Sequence, residues 1–561
     1  MSVPKAFALA RPRATAVSLA PWLLGAIALS LLLQCWLAFT RQINWDEFWF
    51  LSRLYQYREG ALSASLQTFY VHLFAWLPHV SDNVIGRIVS ARVLMLGLEA
   101  GTFALIYSSA RRFVSREAAL LGLFTYASLN YVLIHGAAFR ADPIATFLLM
   151  SSVALFLAPQ PTWKSMIAGA LAMALAGLVT AKSVFYLPPI AAILLWRFIE
   201  SDNRRAFALK LGAAGAISML AFAAAFVLHR ASLAPPQPGS AVSTGFVIGM
   251  AFAPGAFVRS WPYMSAAMIG NPATFAAAAL GIRQCISETA KARLRSLALL
   301  SFAFPLLTLF FYRNSFPYYY PFALAPAAIL ACLAFDRMQY VWERAAWALA
   351  CGVFLIVQFA NALSPGQAAE RETLAAVRKI FPQAAAYFDY CGMASDYRHA
   401  GFFMSTWGIE RYRLMGKPVF REAIAGKDPP LFVIADTPVL HEALAPGSED
   451  IGDGYKLFSA DARALRANYV HHWGAIWVAG KDLGALGAAR AVAIEIPGTY
   501  TIEASAPVQI DNVTYKPSEI VRLPRGTHEI ESAAEQHAIL RYGDHLFRPA
   551  SPPPGDIFEG F

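Results

Sequence analysis

Long apolar runs separated by short basic loops fill the first two thirds of the chain, and alternating apolar and polar positions replace them towards the end. Runs over 16–40, 84–109, 118–135, 142–158, 165–181, 183–199, 211–228, 264–282, 297–312, 321–336 and 345–361 predict about eleven membrane-spanning helices, several near the lower limit of ~17 residues. From about Ser364 no long apolar run remains. Residues 367–390 read as helical, whereas LFVIAD (431–436) and AIWVAG (475–480) read as strands, together an α/β pattern. RAVAIEIPGTYTIEA, APVQIDNVTY, SEIVRLPRGTHEIES and HAILRY are short alternating strands broken by Pro-Gly and Arg-Gly turns, which suits a small β-sandwich. The expected architecture is a polytopic α-helical membrane protein over 1–363, an extracytoplasmic α/β region over 364–490 and an extracytoplasmic β-sandwich-like region over 491–561. The Pro-rich end, 549–554, reads as a frayed tail.

Loop charges orient the spans. Counted from a cytoplasmic start, the inward loops carry Lys5, Arg11 and Arg13, then Arg111, Arg112 and Arg116, then Lys164. Later inward loops carry Arg197, Arg204, Arg205 and Lys210, then Arg283, Lys291, Arg293 and Arg295, then Arg337 and Arg344. Basic inward loops are what the positive-inside rule requires, so the N-terminus is expected in the cytoplasm and the C-terminal region outside. This is the pattern of a multi-pass protein of a bacterial cytoplasmic membrane. The first apolar run reaches Phe39 without a convincing cleavage site and reads as a retained helix rather than a signal peptide.

A content of 57% hydrophobic and 15% charged residues sets a soluble protein aside. The net charge of +10 lies mostly in the short loops, so nucleic acid is not an expected partner, whereas membrane lipid is. The five cysteines show no CxxC or Cys/His ligand spacing, and neither a structural zinc nor a disulfide is expected. The outward loop over 229–263 sets Pro and Gly beside an apolar stretch too short to span; it reads as a re-entrant or interfacial element, or as an ordinary surface loop.

The outward-facing segments hold the candidate chemistry. Asp46 and Glu47 stand together among Trp45, Phe48, Trp49 and Phe50. They suit a helix N-terminus, where the dipole favours acids. They also suit a general base or a metal ligand, because an apolar rim raises a carboxylate's proton affinity. In HGAAFRADP, Arg140 and Asp142 either neutralise each other or form a site in which Asp142 orients an acceptor or metal and Arg140 holds carboxylates. Lys182, in LVTAKSVFYLPP, either snorkels to the interface or binds a phosphate. Arg313, Tyr318, Tyr319 and Tyr320, in RNSFPYYYP, form either an interfacial aromatic belt or a platform for an anionic head group and a sugar. His72 reads as a base, a ligand or an interfacial residue. Arg92 and Glu99, two turns apart, are expected to make polar contacts inside the bundle, with Arg87 on the same helix.

Taken together, these residues resemble the GT-C glycosyltransferases, polytopic enzymes that take sugar from a polyprenyl-phosphate donor on the outer membrane face. The nearest pattern is that of protein O-mannosyltransferases and lipid A aminoarabinose transferases. The family's Asp-Glu pair in the first outward loop is matched by Asp46 and Glu47, and its later acid by Asp142 in the setting of Arg140. TAKSVFYLPP and RNSFPYYYPFALAP match its Lys-containing and Arg-plus-aromatic segments. The resemblance covers roughly 15–335, and the tail matches neither subfamily closely. It implies transfer of a sugar, with inversion, from a polyprenyl-phosphate donor to an envelope glycan, lipid or protein acceptor. Asp46 is then the base, Glu47 and Asp142 its acidic company, and Arg140, Lys182, Arg313 and Tyr318 to Tyr320 the donor-binding groups. Whether a divalent cation assists is open; Asp46, Glu47, Asp142 and His72 supply oxygen and nitrogen donors for one.

Two other classes compete. A transporter or lipid flippase would favour acids near the membrane midplane and inverted repeats; a non-enzymatic envelope-assembly protein would use the tail to bind glycan.

Overall fold

The computed structural model describes residues 18–235, 249, 260–287, 293–363, 366–445 and 456–558. Lys5, Arg11, Arg13 and Lys291, and most of the loop over 229–263, lie outside the described residues. The chain forms two compact units, one from 1–37, 95–225 and 251–362, the other from 38–94, 226–250 and 363–561.

The first unit is helical. Among the described residues of the chain, seven helices are long and apolar enough to cross a membrane: Ala20–Thr40, Val84–Ala110, Ala181–Glu200, Arg204–Ala231, Arg293–Phe310, Pro317–Asp336 and Val341–Ala362. A pair of helices, Trp261–Gly270 and Pro272–Ser287, is long and apolar enough only when taken together and is bent by 95°, as a broken span or a re-entrant loop would be. Pro272 lacks the amide proton that would continue the first helix, and the bend is held by Asn271, whose side chain donates to Ser128 Oγ at 2.8 Å.

The other three expected spans are present as shorter pieces. The run over 118–135 divides into Arg116–Ala127 and Asn130–His135, because Leu129 takes an extended conformation, φ −68° and ψ 136°. Ala141–Phe156 and Trp163–Val179 have 16 and 17 residues, about 24–26 Å at 1.5 Å per residue, short of a ~30 Å hydrocarbon layer.

Exposure sorts the spans by role. Arg204–Ala231 leaves Leu209, Met219, Leu220 and Leu228 exposed, and Val341–Ala362 leaves Trp342, Leu349 and Val353 exposed, as helices facing lipid would. Pro317–Asp336 is buried along nearly its whole length. Small residues let its neighbours approach closely, as packing without a hydrophobic driving force demands. A Cβ on Gly281 would lie 1.9 Å from the Leu330 carbonyl oxygen, and one on Gly122 would lie 2.9 Å from the Cys332 backbone nitrogen.

The second unit combines the chain after Thr40 with the C-terminal region. The Trp45–Arg58 helix opens it, and the helix Ala368–Ile380 follows the last span. Twelve strands follow: β1 (Ala386–Phe388), β2 (Arg398–His399), β3 (Phe432–Ile434), β4 (Tyr469–Trp473), β5 (Ile476–Leu486), β6 (Arg490–Ile494), β7 (Gly498–Glu503), β8 (Val508–Ile510), β9 (Val513–Tyr515), β10 (Ile520–Leu523), β11 (Gly526–Glu531) and β12 (Gln536–Tyr542). One sheet runs β10-β7-β12-β5-β3-β1-β2, with β4 also paired to β5; the other runs β6-β11-β8-β9. Strands β2, β1 and β3 are mutually parallel, and β5 joins β3 antiparallel.

The C-terminal strands form two sheets with a shared core. Tyr500 and Ile502, Val521 and Leu523, and Ala538 and Leu540 from the large sheet share one core with Val508, Ile510 and Ile530 from the small one. Asp511 and Asn512 turn the β8–β9 hairpin with φ of 49° and 67°, left-handed values that Asn and Asp tolerate best among non-glycine residues. Strand β5 pairs with β3 on one side and β12 on the other, so a single sheet crosses position 490 without a break.

Candidate functional site

Asp142 gathers two cations in the first unit. It sits in the first turn of Ala141–Phe156, where the helix dipole favours a carboxylate. Lys182, on the 3-10 turn Ala181–Tyr186, pairs with Asp142 Oδ1, and Arg140 Nε lies 3.5 Å from Oδ2. Asp142 is 4% exposed, so the three charges meet largely out of water. Thr180 caps the turn by accepting from the Lys182 amide, which fixes the lysine backbone. Of the two sequence readings of Arg140 and Asp142, neutralisation by the arginine alone does not describe this group. One carboxylate faces two cations, a lysine and an arginine from different segments.

Tyr318 supplies the apolar side of the group. The Arg140 guanidinium stacks over its ring at 3.4 Å, and the Lys182 ammonium lies 5.2 Å from the ring centroid. Tyr319 also faces Lys182, whose ammonium lies 5.6 Å from its ring centroid, whereas Tyr320 has another setting. The Tyr319 ring stacks on Phe322 and its hydroxyl meets Thr308 Oγ1 at 2.5 Å, while the Tyr320 ring packs on Tyr131. Arg313 is half-buried in the connection that leads to these tyrosines.

In the second unit the Asp46–Glu47 pair divides. Asn44 accepts from the Asp46 amide at 3.0 Å, and Glu47 accepts from the Asn44 amide at 3.1 Å, a reciprocal capping box that starts the Trp45–Arg58 helix. Glu47 is 1% exposed and takes Arg92 with both oxygens, Nε to Oε1 at 2.8 Å and Nη2 to Oε2 at 2.5 Å. The remaining Arg92 donors go to the carbonyls of Ala38, Arg41 and Gln42 at 3.3, 2.9 and 2.9 Å. Asp46, one residue earlier, is half-buried. The geometry makes Glu47 a fixed point of the fold.

Glu370, absent from the sequence candidates, completes this corner. It is 0% exposed, and its Oε1 accepts from the Ile43 amide at 2.8 Å. Burial pushes its pKa up to about 8, against the opposing pull of Arg92. An acid in the first turn of a helix with mixed polarity carries no sequence signal of such burial.

His72 meets a partner that sequence reasoning missed. Its Nε2 lies 2.8 Å from Nδ1 of His229, whose Nε2 lies 2.9 Å from Thr68 Oγ1. The rings cross edge to face, and Tyr57 covers His72. Burial lowers the His72 pKa. A single histidine in the last turn of the long apolar helix Arg204–Ala231 was the available clue. Arg87, on the same helix as Arg92, pairs with Asp396, which also takes Arg378 at 2.5 Å. Glu99 is buried, and its Oε1 has no hydrogen-bond partner among the described residues.

No protein-family model matches this chain, and no curated protein matches it by sequence. Its fold has solved counterparts. ArnT from Cupriavidus metallidurans bound to undecaprenyl phosphate is 13% identical, with a TM-score of 0.53 over 77% of this chain and 95% of that one. The Archaeoglobus fulgidus oligosaccharyltransferase in its apo form is 11% identical, with a TM-score of 0.54 over 95% of this chain and 98% of that one. The chain therefore has a GT-C-like fold, helical and membrane-protein-like with a C-terminal sheet region.

Proposed function

We propose that this protein is an integral membrane glycosyltransferase that moves a sugar from a polyprenyl-phosphate donor to an envelope acceptor on the outer face of the cytoplasmic membrane. The observation that carries the reading is the buried grouping of two cations, Lys182 and Arg140, around Asp142, backed by the face of Tyr318. Such a group suits a monoanionic or dianionic phosphate beside an apolar surface. The GT-C-like fold supports it, and the ArnT structure bound to undecaprenyl phosphate supports a polyprenyl phosphate as the donor class. The basic inward loops support an outward-facing site and an extracytoplasmic tail.

The chemistry follows from the groups. Asp46 takes the proton of the acceptor hydroxyl as the oxygen attacks the anomeric carbon. The bond from that carbon to the phosphate oxygen breaks, and the polyprenyl phosphate leaves with the electron pair. Lys182 and Arg140 stabilise the charge that grows on it. A single direct displacement inverts the anomeric centre. Glu47, held by Arg92, positions the turn that carries Asp46 rather than moving a proton itself.

The test is donor turnover in membranes supplied with a radiolabelled polyprenyl-phosphate sugar. Asp46→Asn is expected to lower turnover by ~10²–10⁴-fold with normal expression and unfolding temperature. Turnover at the wild-type rate would overturn the base assignment. A transporter or flippase is the second reading, favoured by the buried Glu99 within a span. The same membranes separate the two, because a flippase moves labelled lipid without cleaving it.

A further inference from the structure

Asp389, Cys391 and Asp436 meet at the carboxyl ends of β1 and β3 in the second unit, all three buried, with their ligand atoms within 4.8 Å of one another. The two strands are parallel neighbours, and the crevice beyond the carboxyl ends of parallel strands is where such sheets accept ligands.

Asp389 is locked in place. Its Oδ1 accepts from the Gly392 amide and its Oδ2 from the Met393 amide, both at 2.6 Å, and His399 Nε2 stands 2.9 Å from Oδ1. Gly392, at φ +79°, permits this turn. Asp436 differs. It is 9% exposed, and among the described residues neither carboxylate oxygen has a partner within hydrogen-bonding geometry, although the backbone of Tyr390 and of Asp436 itself acts on its charge. The Tyr387 hydroxyl, fully buried and electrostatically coupled to the same three residues, has no partner within hydrogen-bonding geometry among the described residues, although the Ala394 backbone acts on its charge. A buried ionised carboxylate is costly unless something positive compensates it.

We propose that Asp389, Cys391 and Asp436 bind a divalent transition-metal ion, with zinc the best match to one thiolate and two carboxylates. Zinc accepts sulfur and oxygen ligands together, and four-coordination leaves one position for water. Binding releases the Cys391 proton, and any proton held by Asp436, to solvent. His399, on the other side of Asp389, orients that carboxylate as an outer-shell partner. The sequence hides the set because 389, 391 and 436 follow no zinc-ligand spacing.

The site would pin a turn that packs on the helix carrying Asp46. A Cβ on Gly392 would lie 2.6 Å from Ser52 Cβ, and the Tyr390 and Trp45 rings are 5.5 Å apart. The inference does not depend on the glycosyl-transfer reading.

The test uses full-length protein purified in detergent without chelator, analysed for bound metal, stripped with EDTA and titrated with zinc or cobalt(II). The expected result is one equivalent of metal per chain and a thiolate-to-cobalt charge-transfer band. That band is absent in Cys391→Ser and unchanged in the control Cys351→Ser. His399→Ala is expected to weaken cobalt binding ~10–100-fold, and Asp436→Asn, nearly isosteric and safe for folding if Cys391→Ser is not, by ~100-fold or more. Wild-type protein that takes up no stoichiometric metal overturns the proposal, and so does a band that survives Cys391→Ser. An unchanged affinity in Asp436→Asn also overturns it, leaving two carboxyls that share a proton.

Discussion

Arg92 grips Glu47 with two parallel hydrogen bonds and spends its other donors on three consecutive-turn carbonyls, those of Ala38, Arg41 and Gln42. The guanidinium thus ties the end of the first helix to the start of the next. Removing one partner of such a buried pair strands the other charge, at a cost of ~3–5 kcal/mol. Glu47→Ala and Arg92→Ala are each expected to lower the unfolding temperature sharply. Arg92→Lys should recover only part of the loss, because an ammonium cannot reproduce the fork. Thermal unfolding of the detergent-solubilised protein checks this, and Arg92→Lys at wild-type stability would count against it.

Lys182 offers a cleaner separation of binding from folding. A charge-assisted hydrogen bond is worth roughly 1.5–3 kcal/mol, so Lys182→Met is expected to raise the donor KM by about 10–100-fold. Lys182→Arg should restore much of it. Turnover measured against donor concentration distinguishes this from a loss in kcat at saturating donor, which would place Lys182 outside the donor contacts.

Glu370 sets an unusual dependence on pH. Its carboxyl is pushed up to about 8 in the folded chain, from an ordinary value of 4.5. Between those values the unfolded chain gives up a proton that the folded chain keeps, so stability falls as pH rises through that window. Below about 4.5 both states are protonated, and the penalty is absent. Glu370→Gln keeps the neutral shape and is expected to flatten the slope, gaining a few kcal/mol of order at pH 8 and above. Unfolding free energies from pH 5 to 9 decide it, and parallel curves for wild type and variant would refute it.

The C-terminal strands should not be separable from the region before them. Deleting 491–561 removes β12 from the edge of β5 and takes β7 and β10 with it. The freed edge presents unpaired backbone groups, a template for association. The truncated chain is expected to aggregate on extraction, read by size-exclusion chromatography. A monodisperse product would show that the sheet tolerates division at that point.

The sequence was most readable where one periodicity serves one environment. RAVAIEIPGTYTIEA and its successors alternate because one face is buried, and they became β6 to β12 with few surprises. Apolar runs located the helices but not how they end, since a 17-residue run reads alike whether it spans, breaks at Ser128, or turns by 95° at Pro272. Lys182 and Asp142 were each singled out, yet nothing in their local segments tells that the lysine reaches across to that carboxylate. Glu47 and Arg92 show the same blindness. Each is an acid or a base beside an apolar run, and only folding decides which charge it meets.

The two glycines against Pro317–Asp336 carry a mechanical implication. A helix seated at backbone distance from Gly281 and Gly122 cannot slide or rotate without driving its own side chains into them. It behaves as a fixed post rather than a piston. Breathing of the bundle then falls to the outer helices, such as Arg204–Ala231 and Val341–Ala362, whose exposed apolar faces can shift at little cost.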